Sequence, residues 1–483
     1  MPWSRRKFLA ATATTIAAAR VAKAARAAPY DVAVIGAGLS GLHTAMLLSE
    51  LGAKVVVLEA TGRVGGRCLT MDRWHLQPDL GGVQIGAFYA RVLDVAGRLG
   101  VALGPGAHVN AGYSFVVNDS LVSASEWPDS PLNRTEGAER SVPPHALGGF
   151  FVERRSPFAT SDAWLDDNAA AYDLSLADWL TRQGASPDAR RIIRVSQGRP
   201  LESLSVLRMF QEATRGKLGS TIVDPKLLEG KDFYQRASLL SQHVVGGTSR
   251  LTEAMAASLG ERVQLNKPVV AIDLRKDHCE IRCSDRSRVR SRFAVAAVPF
   301  SVLRRIAISP ALQGDQADAV SRMPYGTQSQ IWLRTREPYW EKDGIDASMW
   351  TDGAFNLIRQ QIEPDGTREL LSALAFSDNA LRVDAMSPAE RGRFAIAEIE
   401  RIRPSTRGLL EFVGAHSWEL EPYQHGCSFQ MVPGRASAWV RSMSQPHLAL
   451  HFAGEHTRRL EIGMEAAMES GERAALEIAS RMD

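Results

Sequence analysis

The sequence predicts an α/β fold: a doubly wound domain assembled from three separated stretches of chain, with a second, α+β domain inserted into it twice. Three observations carry this. A strand, a glycine turn, a helix and another strand follow one another over residues 30–58. Further short apolar runs of strand character recur near residues 263–298 and 448–452. The stretches between them differ in texture, holding most of the tryptophans and long polar loops such as 129–149.

Each element has its own reason. Residues 30–35 are a short β-rich run, helical spacing continues from the glycine turn to about Leu51, and 53–58 form the next strand, closing a βαβ unit. Residues 263–274 and 279–283 read as strands. In the latter Cys279, Ile281 and Cys283 alternate onto one face, as buried apolar thiols do. Residues 293–298 are a buried strand stopped by Pro299, and 448–452 another. From about Gly463 a last helix places Met464, Ala467, Met468, Gly471, Ala474 and Ile478 along one face. The predicted division is therefore 29–105, 240–305 and 440–483 for the first domain, and 106–239 and 306–439 for the second.

The glycine turn carries the first chemistry. In Gly36-x-Gly38-x-x-Gly41, the first glycine permits the tight turn, the second lets a pyrophosphate approach the backbone, and the third lets helix and strand pack closely. The helix N-terminus offers free N–H groups and partial positive charge to the phosphates. Glu59, 23 residues after Gly36, ends the second strand, where a carboxylate accepts from both ribose hydroxyls. This much suits NAD and FAD equally. The following Glu59-Ala60-Thr61-Gly62-Arg63-Val64-Gly65-Gly66-Arg67 separates them. Its adjacent glycines and two arginines give a second close backbone approach with charged donors, suited to the far end of an extended dinucleotide. Asp79-Leu80-Gly81-Gly82 adds another glycine pair.

With these motifs the chain resembles the flavin monoamine oxidase family, among the glutathione-reductase-like flavoproteins. Phe452-Ala453-Gly454-Glu455 and Met464-Glu465-Ala466-Ala467-Met468-Glu469-Ser470-Gly471 extend the likeness to the C-terminus. Gly246-Gly247-Thr248, Pro268-Val269 and Glu337-Pro338-Tyr339-Trp340 extend it through the middle. The resemblance implies a Rossmann-type FAD-binding domain with a discontinuous substrate-binding domain, the amine oxidase fold. It implies FAD held by Gly36, Gly38, Gly41, Glu59, Ala60, Arg63, Gly65, Gly66, Arg67, Gly81, Gly82, Val269, Cys427, Glu455, Met464 and Glu465. Trp418 matches the family tryptophan near the isoalloxazine. The implied reaction passes a hydride equivalent from the carbon next to an amine nitrogen to flavin N5. The imine then hydrolyses, and oxygen or a periplasmic electron acceptor reoxidises the flavin.

Three positions depart from or sharpen that pattern. The family lysine that holds a water near N5 corresponds to Gln330, which brings no charge. The two rings that flank the amine correspond to Ser428 and to Ile462 or Gly463, so the aromatic cage is absent, with Phe429 and Tyr423 as candidate replacements. Cys427 falls where some relatives carry a cysteine thioether-linked to the flavin, and the alternatives are covalent FAD or a small buried thiol beside it. Gln330, Trp418 and Ser428 are thus the residues expected at the reacting centre. Rival readings on this scaffold are an L-amino acid oxidase, a flavin desaturase of an apolar substrate and a non-catalytic flavin-binding partner protein.

Residues 1–28 hold six basic residues and no acid, so removing them takes the formal charge from +3 to −3 and leaves no case for nucleic-acid binding. Ser4-Arg5-Arg6-Lys7-Phe8-Leu9, a weakly apolar stretch and Ala25-Arg26-Ala27 resemble a twin-arginine export signal, which predicts a periplasmic or secreted protein loaded with cofactor before export. No run is long enough for a membrane span, no cysteine or histidine spacing suits a metal, and a homodimer is left open. The region of Trp164, Asp166, Asp167 and Trp179 reads either as an entrance for a basic substrate or as solvated helix faces. His425 is the histidine nearest the expected flavin.

Overall fold

A computed structural model describes residues 28–105, 112–222, 224–231, 240–363 and 366–482. Its first sheet has eight strands, ordered 263–264, 55–58, 30–35, 288–296, 279–283, 269–274 and 307–309, with 450–452 also paired to 288–296. Around strand Tyr30–Ile35 the pairing is parallel: Val32 faces Val55 on one side and Phe293 on the other. Such a strand is covered on both faces and therefore apolar throughout. Val32 and Val34 accordingly pack into one core cluster, while Ala33 and Ile35 pack into another on the opposite face.

Two elements differ from the sequence reading. The strand expected over 263–274 is split into Val263–Gln264 and Val269–Leu274. Asn266 at φ 58° turns the chain, and Pro268 has no N–H to offer a ladder. Strand Ala307–Ser309 pairs with Val269–Leu274, so the first sheet extends past residue 305, where the expected domain ended. The cysteine strand is as expected, with Cys279, Ile281 and Cys283 all buried.

The second sheet has seven strands, ordered 410–417, 328–335, 370–376, 357–360, 348–351, 113–117 and 120–122. Strand Gln328–Thr335 lies between Leu370–Phe376 and Leu410–Ser417, antiparallel to both. Its odd residues Ile331 and Leu333 enter the core beneath the sheet, which turns Gln330 and Trp332 to the other face. Helix Gly463–Ala479 closes the molecule against helix Leu39–Glu50. An added Cβ on Gly471 would lie 2.5 Å from the Ser40 carbonyl oxygen, and the His43 ring is bonded to the Met468 carbonyl. Among the described residues no helix is long and apolar enough to cross a membrane.

Candidate active site

A single cavity of about 810 Å³ runs from the glycine turn to the face of the second sheet. At its first end Gly36 has φ 102°, and a Cβ there would meet the Ala297 carbonyl oxygen at 2.8 Å. Gly38 is the opposite case. It is the N-cap of helix Leu39–Glu50, with φ −79° and ψ 177°, and a Cβ would find no protein atom within 4 Å. The backbone there is left open toward the cavity, with Leu39 and Ser40 of the first helical turn beside it. The second glycine pair docks against this turn: the Gly65 N–H donates to the Ala37 carbonyl at 2.8 Å, and Gly38 and Gly65 form an isolated parallel bridge.

Glu59 is buried on the cavity wall. One oxygen accepts the Ala37 N–H at 2.8 Å, and the other accepts the Thr61 N–H and hydroxyl at 2.9 Å each. Arg67 donates to Glu455 at 2.9 Å and to the Cys427 carbonyl, tying the first segment to the last two. Their paired charges raise Arg67 above the ordinary arginine value despite its burial. His456 follows Glu455 into the wall. It is 1% exposed and neither ring nitrogen has a hydrogen-bond partner among the described residues. Burial pushes its pKa down to about 3.

At the other end Trp418 lies against Gly81, where a Cβ would come within 3.1 Å of its Cζ2, and it packs with Leu80 and Trp332. Gln330 is pinned at both ends of its amide: Nε2 donates to the Leu80 carbonyl at 2.8 Å, and Oε1 accepts from Trp332 Nε1 at 3.2 Å. Ser428 and Cys427 face Gly326 across a short ladder and both reach the wall. Burial pushes the Cys427 thiol up to about 11.

The open backbone at Gly38 and the positive-φ turn at Gly36, at one end of a cavity of this length, are what an extended phosphate-bearing group of FAD's shape would occupy. The residues present fit that cofactor. The flavin-containing amine oxidoreductase family model matches residues 39–479. The chain belongs to this family. As a family member it is an oxidoreductase acting on CH–NH groups, carrying FAD. It is 28% identical over 477 residues to a probable flavin-containing monoamine oxidase A of Dictyostelium discoideum, covering 94% of this chain and 98% of that one. It is 26% identical over 478 residues to a flavin-containing amine oxidase of Danio rerio, covering 94% and 86%. Among solved structures, cyclohexylamine oxidase from Brevibacterium oxydans superposes with a TM-score of 0.76 at 22% identity, covering 94% of this chain and 99% of that one. A triple mutant of putrescine oxidase gives 0.76 at 21%, with the same coverage. The amine oxidase fold is shared with both.

Within this amine oxidoreductase most of the residues singled out from sequence reach one wall, from Gly36 and Ala60 at one end through Gly66, Gly82 and Val269 to Met464 and Ser428. Three do not. Gly41 is packed under the turn, where a side chain would press on the Gly36 carbonyl and on Ala297. Arg63 donates to the Val64 carbonyl at 3.3 Å and lies near Glu421 and Glu59, behind the wall. Glu465 is fully buried and accepts the Arg91 and Val92 N–H groups at 3.0 and 3.1 Å. Met464 and Ala467 share the cavity face of that helix, so Glu465, one position on, points away.

The candidate replacements for the cage also divide. Phe429 is buried at 0% exposure beneath Arg208 and Arg458, while Tyr423 is on the wall. Beside Gly463 the Tyr89 hydroxyl stands where a side chain would go, so a ring does adjoin that position, supplied from a distant segment. Trp164 and Trp179 form no entrance: both are buried, and Trp164 Nε1 is bonded to the Arg459 carbonyl. His425 is engaged with Arg305. Sequence reasoning missed His456, Tyr89, Arg208, Glu212, Arg359 and Arg458, all on the wall. Only His456 had a signal, its place next to Glu455.

Proposed function

We propose that the chain oxidises an amine at the carbon next to nitrogen, releasing an imine that water hydrolyses to a carbonyl compound. The observation that supports this best is the continuity of one cavity from the glycine cradle to the Gln330–Trp418–Ser428 wall. When bound, the flavin supplies the acceptor for the hydride equivalent. The chain's own residues do the rest. Trp332, Trp418 and Leu80 form an apolar wall that excludes water and favours the neutral amine, the form with a lone pair to assist C–H cleavage. Gln330, fixed between Leu80 and Trp332, holds that wall to the loop of the glycine pair. A desaturase of an apolar substrate is disfavoured by the charged side chains on the wall.

Gln330 brings no positive charge to the reacting centre, so reoxidation by oxygen is slow and another acceptor takes the electrons. The export signal is read over residues 1–28, of which 1–27 lie outside the described residues. We propose twin-arginine export to the periplasm, and replacing Arg5 and Arg6 by lysine is expected to retain the holoprotein in the cytoplasm. The deciding experiment for the reaction is an anaerobic titration of the holoprotein against amines, amino acids and apolar compounds, followed by flavin absorption. Bleaching by an amine supports the reading. Bleaching by dithionite alone overturns it.

A further inference from the structure

Charge on the cavity wall is not balanced. Six basic residues line it, Arg67, Arg208, Lys267, Arg305, Arg359 and Arg458, against four acids, Glu59, Asp79, Glu212 and Glu455. Local pairing accounts for much of this. Arg67 holds Glu455 and Lys267 holds Asp285. Arg305 contacts His425. Glu59 accepts from backbone, and Asp79 accepts the Thr70 hydroxyl at 2.6 Å and the Thr248 N–H at 2.9 Å.

What remains is Arg208, Glu212, Arg359 and Arg458. Glu212 is shared by Arg208 at 2.9 Å and Arg458 at 2.8 Å, so one carboxylate serves two guanidinium groups. Arg458 is 3% exposed and its Nε has no partner among the described residues. Arg359 has no carboxylate within salt-bridge distance among the described residues.

The register places Arg359 relative to the reacting centre. Trp332 faces Ser372, and Ser372 faces Arg359 on the next strand. Neighbouring strands lie roughly 4.8 Å apart, so the Arg359 backbone stands roughly 10 Å from that of Trp332, on the same face of the sheet. Arg458 also reaches Glu455, the partner of Arg67, at 3.9 Å, so Arg67, Arg208, Arg359 and Arg458 stand against Glu212 and Glu455, and two positive charges on the wall are left without a carboxylate.

A cationic wall repels an ammonium that carries no other charge, and it repels a diamine twice over. It attracts a molecule whose far end is anionic. We infer that the natural substrate is an amine bearing a carboxylate several carbons from the reacting carbon, and that Arg359 binds that carboxylate. This deepens the amine-oxidation reading and rests on it.

Two measurements separate the inference from that reading. The first is binding of n-hexanoate, which cannot be oxidised as an amine, to the holoprotein by calorimetry. Hexanoate is expected to bind, and Arg359→Gln to weaken it by about 10- to 100-fold, the loss of one charge-assisted contact. The second compares anaerobic flavin bleaching by 5-aminopentanoate, pentylamine and 1,5-diaminopentane. The expected order of kcat/KM runs from the anionic to the neutral to the cationic chain end. Arg359→Gln is expected to slow 5-aminopentanoate and, by relieving the repulsion, to make pentylamine no slower, so that the preference between the two narrows.

Failure of hexanoate to bind, or a diamine that bleaches as fast as the amino acid, overturns the carboxylate inference even if amines are oxidised. Hexanoate binding that needs Arg359, with no amine bleaching the flavin, overturns the amine reading while supporting the anion site. An equal loss for all three amines in Arg359→Gln would mean general damage. Arg359→Lys, which keeps the charge, must then restore the preference, or the assignment falls.

Discussion

Replacing Gly38 by alanine is expected to separate cofactor binding from folding. The backbone there, φ −79° and ψ 177°, suits alanine, and the added methyl group meets nothing in the protein within 4 Å. The cost to the fold is a poorer helix N-cap, about 1 kcal/mol. In a chain of this size that moves Tm by about 2 °C. The methyl group instead occupies the approach to the first helical turn. Losing one charge-assisted bond between backbone N–H and phosphate weakens FAD by about 10- to 100-fold. Gly36→Ala is the contrasting case. At φ 102° strain costs about 1–3 kcal/mol, and a Cβ 2.8 Å from the Ala297 oxygen adds about 1–3 kcal/mol of overpacking. The sum is a large share of the ~5–15 kcal/mol that holds a domain together. Thermal unfolding of the two apoproteins, with FAD titrated by quenching of its fluorescence, measures both quantities. Gly38→Ala should lose only about 2 °C of Tm while losing affinity, whereas Gly36→Ala should lose much of both. A Gly38→Ala protein that binds FAD as tightly as wild type would refute the assignment of this turn.

Other expectations follow from single side chains. Gln330→Lys places a cation beside the reacting centre and is expected to speed reoxidation of the reduced enzyme by oxygen about ten-fold, in stopped-flow mixing with aerated buffer. No change would dissociate this position from oxygen reactivity. Burial pushes the Cys427 thiol up to about 11, leaving little thiolate to attach a flavin. Acid precipitation is therefore expected to leave the yellow colour in the supernatant, and a coloured pellet would assign a thioether. His456 has a pKa pushed down from 6.5 to about 3 by burial. The unfolded chain takes up this proton first, so the contribution is complete above pH 6.5 and is lost as pH falls toward 3. Apoprotein stability, from denaturant melts between pH 7 and 4, should fall with acidification. His456→Gln should flatten that dependence by about 1.4 kcal/mol per pH unit, and an unchanged slope would contradict a neutral, buried imidazole.

How much of this was legible in the sequence depends on how local the cause is. The Gly36–Gly41 turn and its flanking strand and helix are fixed within a dozen residues, and so they read directly. Glu465 misled because one residue of helical phase, invisible without the partner helix, decides whether a side chain meets the cavity or the Arg91 backbone. The split at Asn266–Pro268 was marked by a proline, yet the apolar run across it masked the break. Arg359 carried no signal at all. It is one arginine in a four-residue strand, and its role rests on the register that aligns it with Ser372 and Trp332. Tyr89 beside Gly463 is likewise a tertiary juxtaposition across more than 370 positions.

The contact between helices Leu39–Glu50 and Gly463–Ala479 bears on how the chain is made. A ribosome releases the first of these helices hundreds of residues before the second, and Gly471 must lie against Ser40 for the packing to close. The wall that receives the dinucleotide likewise waits for Glu455, His456 and Met464. The nascent chain therefore carries an unfinished core, and an incomplete dinucleotide wall, until helix Gly463–Ala479 has been made.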